Sequence, residues 1–389
     1  MKKLPIAITL LSALIVASPV AVALLTALAC APPASAASGT FVGFETMRKI
    51  IILNQMGATE REAETGGGAA SEGGAGEEKD SKAGKKKRSP VPAHFETVLS
   101  TEGAETARLT VEIGFGELTM RPAGGDTLIY VVVDYDARNF GQPLITHESS
   151  DGHVTISLES DEPHGEEFDV DMSDIKAVNT WRITLGKTVV WALDMELAYC
   201  ETRLELGGLK VEALTMESGL SETELSFSEP NGAILQNCDI ETGLGSFHAF
   251  RLGNAGMRQF TLENGLGSSI LDFTGRWPDE NLKAVIESGL GSVKMHLPDG
   301  LPVIMQVEAT LGSTDLPGFH ELNGGVYRSV PYREGVPGLD AAVSVGLGSV
   351  NVIWVTNEML TLPPEPPLPP EAPEAPKKAK TVKKIKVVD

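Results

Sequence analysis

Glu263-Asn264-Gly265-Leu266-Gly267 and Glu287-Ser288-Gly289-Leu290-Gly291 are two copies of one phrase that recurs between residues 214 and 355. Glu217-Ser218-Gly219-Leu220-Ser221 and Glu241-Thr242-Gly243-Leu244-Gly245 precede them. A worn copy, Glu308-Ala309-Thr310-Leu311-Gly312, and then Ser344-Val345-Gly346-Leu347-Gly348 follow. Outlying copies are Glu112-Ile113-Gly114-Phe115-Gly116 and the weaker Glu205-Leu206-Gly207-Gly208. The first glycines are spaced by 24, 22 and 24 residues, then 21 to the worn copy and 36 to the last. A period in the twenties is that of a solenoid, in which each repeat is one coil stacked on the next.

Aligning the copies on the first glycine resolves each repeat into two strands. The residues five and three before it are mostly apolar, as in Leu214 and Met216, Phe260 and Leu262, Ala284 and Ile286, Met305 and Val307, and Ala341 and Val343. Alternation with period two marks a strand with one buried face. After the phrase the parity flips, and the inward positions fall four, six and eight beyond the glycine, as in Thr223, Leu225 and Phe227, in Val293, Met295 and Leu297, or in Val350, Val352 and Trp354. A strand that changes faces takes in an extra residue, as a bulge or corner does, and glycine supplies the positive φ such a bend often needs. Gly219, Gly243, Gly245, Gly265, Gly267, Gly289, Gly291, Gly346 and Gly348 are therefore the expected corners. The leucine after the first glycine keeps the parity of the incoming strand. A column of leucines buried inside the corner is expected, on rungs about 4.8 Å apart.

A glutamate stands two residues before the first glycine in every copy but one: Glu112, Glu205, Glu217, Glu241, Glu263, Glu287 and Glu308, with Ser344 the exception. Its parity points it outward. Such carboxylates accept bonds from corner amides of a neighbouring rung, or are solvated, or gather a hard cation such as Ca²⁺, which takes several oxygen ligands at once. The calcium-binding nonapeptide repeat carries aspartates inside its glycine turn. These turns have none, and no metal site is expected.

With its Glu-x-Gly-x-Gly copies and aromatic-rich opening, the segment from Arg108 to Val355 resembles the toast-rack domain of cell-wall-active-antibiotics response proteins and related predicted adhesins of the bacterial envelope. The resemblance implies a β-solenoid-like, non-enzymatic domain at the cell surface or in the periplasm, in families whose better-understood members modulate envelope-stress signalling. It carries over no catalytic residue. The chain departs from the signalling members in lacking their cluster of several transmembrane helices.

The 389 residues, 42% of them hydrophobic, suffice for one large core or two modest ones. A net charge of −21 argues against a nucleic-acid partner. Of the three cysteines, Cys30 lies in the leader. Cys200 and Cys238 fall on the buried parity and are read either as a disulfide between adjacent rungs or as two buried thiols.

Residues 1–36 open with Lys2 and Lys3, run apolar from Leu4 to Ala29 and reach Ala34-Ser35-Ala36, the layout of a secretory signal with a small-residue cleavage site. Three readings stay open: a cleaved signal, lipidation at Cys30, and an uncleaved anchor long enough to span a bilayer. All three export the rest. Residues 37–94 read as a flexible Gly-, Glu- and Lys-rich linker: it holds a short amphipathic piece from Met47 to Met56, and from Ala58 to Pro92 it cannot bury enough apolar surface to offset its chain entropy. Its run Lys85-Lys86-Lys87-Arg88 is read as solvated or as touching an anionic surface. Residues 95–356 are the solenoid domain, whose opening stretch to Leu204 reads as an irregular β cap. The loop from Pro317 to Val336, with Tyr327 and Tyr332, reads as a flap on the final coil or as a binding face. Residues 357–389 are a polyproline stalk, Pro363 to Pro370, and a basic tail, Lys377 to Lys386. The tail is either solvated or an electrostatic tether to anionic membrane or polysaccharide.

No catalytic constellation emerges. His94, His147, His153, His164, His248, His296 and His320 lack metal-ligand spacing, although His248 and His296 fall on outward positions and suggest a surface pair. There is no nucleophile elbow and no phosphate loop, a serine repeated at every corner is a structural residue, and no cofactor is expected. The reading is an all-β solenoid of stacked 21–24-residue repeats with an N-terminal β cap. Its function is that of a non-catalytic envelope protein, an adhesin-like or envelope-stress accessory module that binds a protein or an anionic glycan or lipid. The alternatives are a purely structural spacer and, since parallel β-helices also carry lyases, a polysaccharide-acting enzyme.

Overall fold

The computed structural model describes residues 91–101, 103–160 and 179–356. The leader with Cys30, most of the linker, the polyproline stalk and the tail Lys377–Lys386 lie outside the described residues. Among the described residues the strands are β1 (Pro92–Ser100), β2 (Thr106–Ala123), β3 (Thr127–Asp136), β4 (Leu144–Ser150), β5 (His153–Glu159), β6 (Asn179–Gly186), β7 (Val190–Glu205) and β8 (Lys210–Ser226). They continue as β9 (Leu235–Phe250), β10 (Met257–Asp272), β11 (Leu282–Pro298), β12 (Val303–Asp315), β13 (Phe319–Glu321), β14 (Val326–Ser329) and β15 (Leu339–Val355), with a 3-10 turn at Leu252–Ala255. No helix among these residues is long and apolar enough to cross a membrane.

The strands form one long sheet in the spatial order β1-β3-β6-β2-β7-β8-β9-β10-β11-β15-β12-β14-β13, with β4 on β5 and β5 on β2. Neighbours from β2 through to β12 are parallel. Each of these long strands is one rung of a β-solenoid, bent where the glycines fall. β11 shows how a rung is filled: Leu282, Ala284, Ile286 and Ser288 on the way in, and Val293, Met295 and Leu297 on the way out, are all buried. Each large aliphatic side chain so buried contributes roughly 1.5–3 kcal/mol. Because a rung touches only its neighbours, stability accumulates rung by rung.

The corner differs from expectation. The last buried residue before it is the one preceding the first glycine: Ser218, Thr242, Asn264, Ser288 and Val345. The leucine that follows faces outward, so the expected column of buried leucines is overturned. Leu220, Leu244, Leu266 and Leu290 are only half-buried, and Leu347 and Leu311 are 48% and 69% exposed. The reason is space. A Cβ on Gly265 would stand 2.5 Å from the carbonyl oxygen of Gly243 on the rung beside it, and one on Gly289 would stand 2.6 Å from that of Gly265. The second glycines Gly245, Gly267, Gly291 and Gly348 have φ of 141°, 148°, 148° and 151°, and a Cβ on Gly267 would run into the carbonyl oxygen of Gly245. Backbones this close leave room inside the bend only for short side chains. Those are largely polar and bond to one another: Thr242 Oγ1 donates to Asn264 Oδ1 (3.1 Å), and Asn264 Nδ2 donates to Ser269 Oγ (3.0 Å).

Chain order and stacking order part company at both ends. The first half of β2 pairs with β5 and its second half with β6, so β5 and β6 together make a further rung outside β2. The stretch up to Leu204, expected to be only a cap, thus supplies true rungs; the covering is done by β4 on β5, and by β3 on β6 with β1 beyond it. At the other end β15, last in sequence, slots between β11 and β12. The worn copy therefore forms the outermost rung, and the loop expected as a flap folds into β13 and β14, which cover part of it. Cys200 on β7 and Cys238 on β9 are buried free thiols with β8 between their strands, so they do not sit on adjacent rungs.

Candidate functional site: the corner wall

Register along the stack is unbroken at the corner, and this turns a repeated phrase into continuous columns. Glu159 pairs with Glu112, Glu112 with Glu196, Glu196 with Glu217, Glu217 with Glu241, Glu241 with Glu263, and Glu263 with Glu287. Ser344 interrupts the column and Glu308 ends it. A second column runs Phe115, Tyr199, Leu220, Leu244, Leu266, Leu290, Leu347, Leu311. A third reads Glu117, Glu201, Glu222 at the amino-terminal end and then Ser246, Ser268, Ser292, Ser349 and Ser313.

One of these rungs is misread from the sequence and another is missed. The rung of β7 uses Glu196-Leu197-Ala198-Tyr199-Cys200 in place of the phrase, whereas Glu205 lies at the end of that strand. There its Oε1 accepts from the amides of Gly207 (2.6 Å) and Ser228 (3.1 Å), and its Oε2 accepts from Ser226 Oγ (2.7 Å). The signal for the true copy was its spacing, since Ala198 stands 21 residues before Gly219, inside the repeat period. Glu159 carried no such signal, because residues 160–178 separate the two halves of its rung.

The apolar column changes along its length. Phe115 is buried at 1% exposure and stacks on Tyr199, ring centroids 5.1 Å apart. The middle leucines, register neighbours from rung to rung, are half-buried, and the last two stand open to water. In-register carboxylates repel, and burial of the charge adds to the cost. Accordingly, burial and then the charges of Glu112, Glu217 and Asp194 hold the Glu196 carboxyl above its ordinary pKa. Burial and then Glu217 and Glu263 do the same for Glu241, and burial and then Glu287 for Glu263. Glu263 Oε2 is buried without a hydrogen-bond partner. Towards the amino-terminal end Arg203 offsets the acid: its Nη1 donates to Glu117 Oε1 (2.9 Å), its Nη2 to Glu201, and its Nε lies 3.7 Å from Glu224.

A column spaces carboxylates along a line and does not converge them on a point. Among the described residues no group of three or more His, Cys, Asp or Glu is placed to hold a metal ion. The suggested pair of His248 and His296 does not form, since β9 and β11 are separated by β10 and the two residues differ in register, His248 facing Ile270 and His296 facing Asp272. Tyr327 packs half-buried on the core, and Arg328 lies 4.9 Å over the Tyr332 ring, so the closing loop is tied down on the last rung.

Residues 84–250 match the family model described as the N-terminal domain of toast_rack, DUF2154. No curated protein matches the chain. Similar solved structures include a candidate cell adhesion protein from Clostridium sporogenes (18% identity, 68% of this chain and 100% of that one, TM-score 0.36). A candidate adhesin from Bacteroides fragilis (11% identity, 68% and 98%, TM-score 0.30) and a candidate lipid binding protein from Parabacteroides distasonis (12% identity, 68% and 97%, TM-score 0.22) are also similar.

Proposed function

We propose that this protein, whose residues 84–250 match the model of the toast-rack N-terminal domain, is a non-catalytic, adhesin-like module of the bacterial envelope. Its binding surface is the corner wall, and its partner is an envelope macromolecule. The observation that carries this reading is the register of the half-exposed leucine column between Leu220 and Leu347, flanked by one column of carboxylates. A regular stripe several rungs long suits an extended ligand that meets each rung alike, whereas catalysis needs groups converging on one point. On this reading residues 1–36 are an export leader that carries the domain out of the cytoplasm, with Cys30 its lipid attachment residue if the mature chain begins there.

The test is binding of the purified domain to peptidoglycan, to anionic vesicles and to envelope protein extract, repeated with Leu244, Leu266 and Leu290 all changed to Ser. Loss of at least ten-fold in affinity for one of the three, with the β-sheet circular dichroism kept, is the expected result. Unchanged binding by the triple variant would remove the wall as the site. Mass spectrometry of the mature amino terminus from membrane and soluble fractions checks the export and lipid readings together.

A further inference from the structure

The outermost rung at the carboxy-terminal end is only half covered. β12 is paired along its whole length with β15 on its inner flank, but on its outer flank β14 reaches only Ile304–Gln306 and Gly325 accepts from the amide of Val307 (2.9 Å). From Glu308 to Asp315 the outer flank has no backbone partner among the described residues. A bare edge of this length is a template for one more strand. Around it the surface is apolar, with Leu311 at 69%, Leu347 at 48% and Ile353 at 41% exposed. It is also acidic: residues 308–355 hold Glu308, Asp315, Glu321, Glu334 and Asp340 against only Arg328 and Arg333.

We infer that the segment Thr381-Val382-Lys383-Lys384-Ile385-Lys386-Val387-Val388 of the same chain adds to this edge as a strand. Its β-branched residues, Thr381, Val382, Ile385, Val387 and Val388, are those that favour strands, and its three lysines set a basic segment against the acidic closing stretch of the domain. The chain also leaves the fold at the right place. Asn351 of β15 faces Asp315, so Val355 is four residues, roughly 13 Å, past the end of the bare edge. The 25 residues from 356 to 380 have a fully extended reach of roughly 80 Å, ample to bring residue 381 back beside Asp315. A strand that enters beside Asp315 and runs towards Glu308 is antiparallel to β12. A second copy of the chain suits the edge less well, because antiparallel pairing centred on Leu311 and Gly312 sets Glu308 opposite the other copy's Asp315 twice over.

Hydrogen–deuterium exchange on the full chain, on a chain ending at Pro376, and on a full chain carrying Lys383→Glu, Lys384→Glu and Lys386→Glu tests this. Outward amides within residues 309–315 are expected to exchange at least ten-fold more slowly in the full chain than in either variant, with exchange of β8–β10 the same in all three. Equal rates in the three chains overturn the inference. So does protection that appears only as protein concentration rises, which would mean a second copy. Protection of the tail alone, appearing only when anionic phospholipid vesicles are added, overturns it too and returns the lysines to a membrane. Should the shortened chain lose protection in β8–β10, the lysine variant alone decides.

Discussion

At the amino-terminal end both halves of the outermost rung are covered, β4 lying on β5 and β3 on β6. The packing there is aromatic: Trp181 and Trp191 in the core and Phe115 at the corner are fully buried, Trp181 Nε1 donating to Asn179 Oδ1 (3.0 Å) and Trp191 Nε1 to the carbonyl of Gly186 (2.8 Å). At the carboxy-terminal end half an edge is bare, and the corner residues that correspond to Phe115 are exposed leucines. A stack of like rungs must end somewhere, and an end left open offers itself to another chain. The difference between the ends therefore separates a part of the molecule built to hold the fold from a part free to meet something.

The largest test of that contrast is a pair of truncations. Trp191→Ala removes a side chain with no exposure and strands the carbonyl of Gly186, and it is expected to cost about 3–5 kcal/mol in denaturant unfolding. Leu311→Ala should stay within about 0.5 kcal/mol, as exposed substitutions do. A loss at Leu311 comparable to that at Trp191 would mean that the open end is packed in solution. Because rungs unfold as neighbours and not all at once, exchange measured rung by rung should place the Trp191 effect in β2, β7 and β8 and leave β11 and β12 unmoved.

What was legible in the sequence, and what was not, follows the same division. Glycine spacing and the alternation around it gave the strands, the bends and the parallel stacking, because these depend on one rung and its like neighbour. Leu266 was placed on the wrong side because parity counting assumes that a strand keeps alternating until its bulge. The crowding of Gly265 against the Gly243 carbonyl is an inter-rung effect that no single repeat displays. The exchange of order at both ends was hidden for a related reason: β12 and β15 carry nearly the same phrase, and which lies outermost depends on what covers the outer edge. Glu196 escaped because its rung replaces both glycines, with Ala198 and Cys200. The carboxylate column was legible as a repeated outward glutamate, but not its unbroken register with Glu112 and Glu159.

That column gives a second, smaller contrast between regions. Glu196, Glu241 and Glu263 have folded-state pKa values above those of the unfolded chain, through burial first and neighbouring carboxylates second. Between the two values the folded state holds more protons, so their contribution is fully present below the unfolded glutamate pKa and is lost as pH rises through the raised ones. Glu241→Gln should therefore stabilise the protein near pH 7 by about 0.5 kcal/mol, by removing like charge from both flanking rungs. It should also reduce the gain in stability seen on going from pH 7 towards 5. Glu308→Gln, whose register partner on β15 is Ser344, removes no such in-register repulsion and should leave stability near pH 7 unchanged. Thermal melts of the three proteins across that range are the measurement, and equal pH slopes for Glu241→Gln and the parent would show that the column is fully solvated.

The smallest perturbation reads the contrast without altering stability. Cys200 and Cys238 are wholly buried, and burial pushes the Cys200 thiol up to about 12 and raises that of Cys238 as well. Reaction with a thiol reagent needs both access and thiolate, so neither should label in the folded protein near neutral pH. A cysteine placed at Leu311, where the side chain is 69% exposed, should label at the rate of a free thiol in the chain ending at Pro376. In the full chain the same cysteine reports on whatever covers β12, and slowed labelling there, with Cys200 and Cys238 still silent, would locate the cover at the bare half of that strand. Ready labelling of Cys200 or Cys238 before global unfolding would instead show that the middle rungs open locally, and the difference between the closed and the open end would lose its structural basis.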